Sequence, residues 1–403
     1  MAKNFFPIIF LVFITFLFEP YTNYADEGVT DTEIHIGMAG PQTGPAAPWG
    51  ILNHAASFYF DMINNEGGVH GRKIVYHDFN DCYNPARTKE GVKFYQEKIG
   101  IFAWVGIIGS ETALAVVDYL EKKKVPWVGP VSGSSIWINP PHKYIFTAYP
   151  CYSYEASAFC KYAVKNLGKK RIAIIYLDDH YGKTGLEGAN KEMAKMDTKL
   201  VATVPVERDA TSMKNYAIKL IEANADTVLL FLTPFQGLNL IQYAKKMNYF
   251  PQWMAVSSFS DFDYLNTISG GELIKNMIST ACSEMYENQK LLQYKTAYKK
   301  ITGKDNWGGL YFHYGIALAE IMTEGLNRTG KNLTRENFVK GMEGIQNFKL
   351  ALGSYISYKP FNPNDPKCRE GQNEICLIQS VEGGKTKVLT EWIKPGEEII
   401  LRK

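Results

Sequence analysis

Apolar residues along this chain follow two alternating rhythms: short solid runs, and longer stretches spaced three or four apart. The first marks strands buried on both faces and the second marks helices with one packed face. IFAWVGII, residues 101–108, is a solid run, and Gly109 and Ser110 follow it at once. Ser110 is a natural N-cap for a helix running from Thr112 to Lys124. The next strand, Pro126 to Pro130, leads into a second hydroxyl-rich turn, VSGSS, ending at Ser135. Two polar turns are therefore expected side by side at the carboxyl ends of neighbouring parallel strands. That rim is where open α/β sheets bind ligands. Free backbone N–H groups and a helix N-terminus there favour an anion such as a carboxylate.

The same alternation runs through the chain. TEIHIGMAG predicts a first strand and PQTGPAAPWG a loop. A helix follows over Ile51–Asn65, and KIVYHDF is the next strand. Pro85 then sits in the first turn of another helix. A strand is expected over Tyr144–Pro150. A second series begins with a helix around Glu155–Asn166, then RIAIIYLDD, VATVPV, DTVLLFL and QWMAVSS as strands separated by helices. Lys275–Ser283 reads as a strand leading out of that series, followed by helices at about Gln289–Ile301, Gly309–Asn327 and from Thr334, an N-cap, to Met342. The tail carries a hairpin signal centred on Gly383-Gly384. Strand–helix alternation with short loops in both halves gives α/β architecture with parallel sheets covered on both faces.

The length, 403 residues, suits two domains. A net charge of only +3 gives no basis for a nucleic-acid partner. Lys3, the apolar run Phe5–Phe18 and Ala25 form the pattern of a secretory signal peptide, with cleavage expected after Ala25. No cysteine follows that run closely, so a lipid anchor is not expected; the expected address is the periplasm. Export permits disulfides among Cys82, Cys151, Cys160, Cys282, Cys368 and Cys376. Cys368 and Cys376, flanking a polar loop, are the best candidates for a local bridge.

No phosphate-binding loop, dinucleotide fingerprint or zinc-protease motif is present, and no metal or cofactor is expected. GPVSGSS is not a nucleophile elbow, and nothing in the sequence positions His142 as a base for its serines. Trp49, Tyr181 and Phe235 fall in loops at strand ends, where aromatic side chains wall ligand pockets. Tyr83 and Trp137 are weaker candidates.

The ordered set of segments IHIGMAGPQTGPAAPWG, NNEGGVHGRKI, DFNDCYNP, VGIIGSET, VPWVGPVSGSS, KKRIAIIYLDDHYG and PQWMAVSS resembles the Leu/Ile/Val-binding family of periplasmic solute-binding proteins that serve ABC importers. The resemblance implies a type I periplasmic binding protein: two Rossmann-like lobes joined by a three-crossing hinge. Lobe 1 would hold residues 31–150 and 284–365, and lobe 2 residues 151–283 and 366–403. It implies a monomer that closes on a small carboxylate and delivers it to a membrane permease. By position, Ser110 matches the family's carboxylate-binding serine, and Ser132, Gly133 and Ser134 match the second loop. Trp49 matches a pocket wall and Tyr181 a second-lobe tyrosine. A second-lobe aromatic position falls near Thr233 or Pro234, with Phe235 beside it. The places that hold a ligand ammonium match Cys151 and Ser257, neither charged. An unpaired ammonium is costly to bury, so the expected ligand leans toward an acid without one, unless Asp178, Asp179, Asp261 or Asp263 supplies the anion. The family's first-lobe disulfide is broken here, since Cys82 fits one end and Gly109 the other. The alternatives are a ligand-presenting sensor and a secreted serine hydrolase.

Overall fold

The computed structural model describes Met1 and residues 26–270, 272–284, 288–304 and 309–402. The expected signal peptide, with Phe5–Phe18 and Ala25, lies outside the described residues.

The first half builds β1 (Glu33–Gly40), α1 (Ile51–Asn65), β2 (Lys73–Asn80), α2 (Pro85–Phe94), β3 (Ala103–Val105), α3 (Ser110–Lys122), β4 (Trp127–Val128) and β5 (Ile145–Phe146). These strands form one parallel sheet in the order β2-β1-β3-β4-β5. The second half builds α4 (Tyr152–Lys165), β6 (Ile172–Leu177), α5 (His180–Lys195), β7 (Ala202–Val206), α6 (Lys214–Glu222), β8 (Thr227–Phe231), α7 (Pro234–Lys246), β9 (Gln252–Ala255), α8 (Phe262–Ser269) and β10 (Ile278–Ala281). The chain then returns with α9 (Gln289–Thr302), α10 (Leu310–Thr329) and α11 (Arg335–Glu343), which pack on the first sheet's core. A small antiparallel pair, β11 (Phe348–Lys349) and β12 (Tyr355–Ile356), precedes β13 (Cys376–Ser380) and β14 (Thr386–Val388).

The second sheet runs β14-β13-β10-β9-β8-β6-β7. Its β7-β6-β8-β9-β10 part is parallel. The tail hairpin adds β13 and β14 antiparallel at the β10 edge. Strands β6 and β8 are buried throughout, as solid apolar runs between two helical layers should be. Each sheet has its own apolar core, so the molecule is two α/β lobes with mainly parallel sheets flanked by helices.

The chain passes between the sheets three times: after β5, after β10 and before β13. The first and third passages lie side by side. Thr147 N–H donates to Arg369 O at 3.0 Å and Gly371 N–H donates back to Thr147 O at 3.2 Å. This explains why the strand expected over Tyr144–Pro150 pairs in its sheet only at Ile145–Phe146. Beyond it, the backbone exchanges its sheet partner for the other passage. The same geometry overturns the expected local bridge: Cys368 and Cys376 are both free. Cys368 ends a short turn beside Asn362, whereas Cys376 opens β13 opposite Ala281 in the other sheet. The intervening residues form a passage between lobes, not a closed loop. Among the described residues no helix is long and apolar enough to cross a membrane.

Candidate functional site

Both sheets point their carboxyl ends at one cavity, with about 660 Å³ of empty space including its open mouth. Turns after β1, β2, β3 and β4 contribute Trp49, Tyr83, Gly109 and Val131. Turns beyond β6, β9 and β10 contribute Tyr181, Ser257 and Ser258, and Cys282 and Ser283. The first passage adds Tyr149 and Tyr152, and the start of α10 adds Tyr311 and Tyr314. Among the described residues no Asp, Glu, Lys, Arg or His side chain lines it.

The two hydroxyl-rich turns meet. Ser110 Oγ and Ser132 Oγ are 2.7 Å apart, both buried, directly behind the cavity-lining Gly109 and Val131. Ser132 Oγ also accepts from Ser134 N–H at 3.2 Å. Gly133 O accepts from Tyr152 N–H, and Ser134 Oγ is 3.3 Å from Thr184 Oγ1 of α5. Helix α3 begins one residue earlier than expected: Gly109 is the N-cap, and Ser110 is the first helical residue. Gly109 has φ 108°, and a Cβ there would lie 2.3 Å from Tyr83 Cε2. Only glycine permits that conformation and that approach of the Tyr83 ring.

Trp49, Tyr181 and Ser257 stand on the cavity wall. Trp49 Nε1–H donates across the lobes to Ser258 O at 3.2 Å, and Tyr181 hydroxyl donates to Leu232 O at 3.2 Å. Thr233 and Phe235 stand off the wall. Thr233 caps α7 reciprocally with Gln236, and Phe235 is exposed on an outer groove. Trp137 is core, edge-on to Trp127. His142 bonds Glu121 and Ile136 O, and neither Ser110 nor Ser132 has a histidine or carboxylate partner among the described residues.

The acidic candidates are engaged elsewhere. Asp178 pairs with Lys183, and Asp263 is exposed. Asp261 caps α8 and accepts from Tyr311 N–H at 3.0 Å. Asp179 caps α5 and pairs with Arg208 at 2.6 Å. Burial raises the Asp179 pKa, and the Arg208 charge opposes that rise. Arg208 in turn donates to Tyr83 O at 3.0 Å and lies 4.5 Å over the Tyr83 ring. Glu111 of α3 accepts from the backbone and ring of His180 at 3.0 and 2.7 Å. The Arg208–Tyr83 and Glu111–His180 contacts tie lobe to lobe.

The carboxylate that sequence reasoning missed is Glu155, fully buried one step behind the wall. Ser257 N–H donates to its Oε2 at 2.7 Å and Ser257 Oγ–H to its Oε1 at 2.8 Å, while Thr280 Oγ1 also donates to Oε2. Burial pushes its pKa up to about 7 against those hydrogen bonds. Tyr149 and Tyr152 were missed as well. The polar, aromatic run YPCYSYE at the lobe crossing was the available signal.

A profile of the periplasmic binding protein family matches residues 33–368. The Leu/Ile/Val-binding protein BraC3 of Rhizobium johnstonii is 32% identical over 162 residues, 40% of this chain and 43% of that protein. The chain thus matches less than half the length of this curated relative. Among solved structures, the fatty acid ABC transporter substrate-binding protein from Thermomonospora curvata superposes with a TM-score of 0.80 at 20% identity, covering 92% of this chain and 95% of that one. The branched chain amino acid ABC transporter protein from Thermus thermophilus with bound valine gives 0.80 at 18%, covering 91% and 98%. At such identities the likeness is one of fold. With the family profile spanning most of the described chain, and with paired α/β lobes facing one cavity, this protein belongs to the periplasmic binding protein family.

Proposed function

We propose that this protein is the extracytoplasmic solute-binding component of an ABC importer and that it captures a small carboxylate with an apolar or aromatic body between its lobes. The observation that carries the reading is a cavity built by both lobes, walled by tyrosines and, among the described residues, free of ionised side chains, with the Ser110–Ser132 pair and the start of α3 just behind Gly109 and Val131 of its wall. In the complex, the two hydroxyls would leave each other for the ligand's acid group, assisted by the unpaired N–H groups of the first helical turn. The aromatic rings would cover the body, and lobe closure would shield those bonds from water. Valine and fatty acids, carried in the names of two structural relatives, both combine an acid with an apolar body.

The absence of a carboxylate side chain from the described wall supports an acid without an ammonium over a branched-chain or aromatic amino acid. Calorimetry with leucine, valine and phenylalanine against 4-methylpentanoate, 3-phenylpropanoate and benzoate tests this. The deaminated acids should bind; tight leucine or valine binding would refute the preference. Ser110→Ala should weaken capture by roughly 1–3 kcal/mol, the range for a hydrogen bond to a charged group. Unchanged affinity in that variant would remove the serine from the site.

A further inference from the structure

One part of the cavity wall ends in a polar relay: Tyr149 hydroxyl lies 2.5 Å from Ser257 Oγ, which lies 2.8 Å from Glu155 Oε1. Tyr149 and Ser257 both line the cavity, and Glu155 sits wholly behind them. We propose that Glu155 is a positioning residue that sets the hydrogen-bond polarity of the cavity wall, so that Tyr149 offers the ligand a lone pair when Glu155 is ionised and a proton when it is not. This rests on the reading of the cavity as the site of a small acid.

The direction follows from counting donors. An ionised carboxylate only accepts. Ser257 N–H, Ser257 Oγ–H and Thr280 Oγ1–H must then all point at Glu155. The Ser257 oxygen is left to accept from Tyr149, and the Tyr149 oxygen turns its lone pairs to the cavity. When Glu155 takes a proton from solvent on Oε1, its O–H donates to Ser257 Oγ. Ser257 then donates to Tyr149, and Tyr149 O–H points into the cavity.

The groups facing Glu155 are Tyr152 on α4 and Cys151 just before it, Tyr149 in the first passage, Tyr181 on α5, Cys282 beyond β10 and Tyr314 on α10. Burial raises the pKa of each of these phenols and thiols, so all stay neutral near pH 7. Among the described residues no lysine, arginine or histidine contributes to holding Glu155 ionised. Burial leaves the carboxyl with a pKa of about 7, so both polarities are populated near neutrality. The ligand class that uses this wall is an acid that also carries a neutral hydroxyl. An ammonium would meet only the uncharged Tyr149 oxygen, a poor partner for a buried charge.

The test measures affinity for 4-hydroxybenzoate, with a donor at the far end, and for 4-acetylbenzoate, with an acceptor there, from pH 6 to pH 8. In the native protein the ratio should move toward the hydroxyl probe by up to about tenfold as Glu155 ionises. Glu155→Gln, fixed in the donor-outward state, should favour the acetyl probe at every pH with a flat ratio. A ratio independent of pH in the native protein, or one that still moves in Glu155→Gln, overturns the proposal. Infrared titration of the ligand-free protein separates this from failure of the small-acid reading. A buried carboxyl band absent from Glu155→Gln and shifted in Tyr149→Phe supports the relay even if neither probe binds. A band unmoved by Tyr149→Phe, or no such band, overturns it.

Discussion

Replacing Arg208 with glutamine should open the protein. Arg208 makes two kinds of contact. Its pairing with Asp179 lies within the second lobe and survives opening. Its bond to Tyr83 O at 3.0 Å and its stacking 4.5 Å over the Tyr83 ring cross to the first lobe and exist only when the lobes are shut. A hydrogen bond from a charged donor contributes ~1.5–3 kcal/mol and a cation–π contact ~0.5–2 kcal/mol. Arg208 is 28% exposed, so water discounts both. A net loss of about 1–3 kcal/mol from the closed state remains, and it lowers apparent ligand affinity by at most about 5- to 150-fold. Calorimetry reads the affinity, and small-angle scattering of ligand-free protein reads the increase in radius of gyration. Arg208→Lys, which keeps the charge but loses the planar fork, should fall between. Affinity within twofold of native together with unchanged scattering would refute the latch.

Three further outcomes follow from the geometry. Gly109→Ala combines a φ of 108° with a Cβ 2.3 Å from the Tyr83 ring, so it should lower Tm and impair capture. A Tm equal to native would show that the turn relaxes freely. Ser283 Oγ is buried on the cavity wall with no hydrogen-bond partner among the described residues. Ser283→Ala should leave the melting temperature of the free protein unchanged or slightly raised and weaken ligand binding severalfold by calorimetry. Burial raises Glu155 to about 7 and Asp81 to about 6, so the folded state holds these protons more tightly than the unfolded chain does. Their contribution to stability is therefore full below the ordinary carboxylate range and is lost as pH rises toward 7. Tm should fall across that interval by a smaller amount in Glu155→Gln, as scanning calorimetry would show.

The alternation of solid runs and helical spacing was enough to read two parallel α/β lobes, because strands buried on both faces must be apolar throughout. The pairing of the Ser110 and Ser132 turns was legible for a related reason: adjacent parallel strands deliver their carboxyl ends to the same rim. Other features depended on contacts between distant segments. The short β5 and the free Cys368 and Cys376 follow from the pairing of Thr147 with Arg369 and Gly371, which no local pattern announces. Glu155 looked like an ordinary first-turn acid on a helix, a place where carboxylates are common. Only the approach of Ser257 and Thr280 from other elements makes it a buried carboxylate behind a ligand cavity. Phe235, two residues past the capping Thr233, lies on the outer groove because the capping box turns α7 there.

The most direct test of the account is a crystal structure of the protein carrying whatever small molecule co-purifies with it. The expected ligand is an acid enclosed among Trp49, Tyr149 and Tyr181, with its carboxylate bonded to Ser110 and Ser132. A ligand bound outside this cavity, or one whose acid group lies away from both serines, would contradict it.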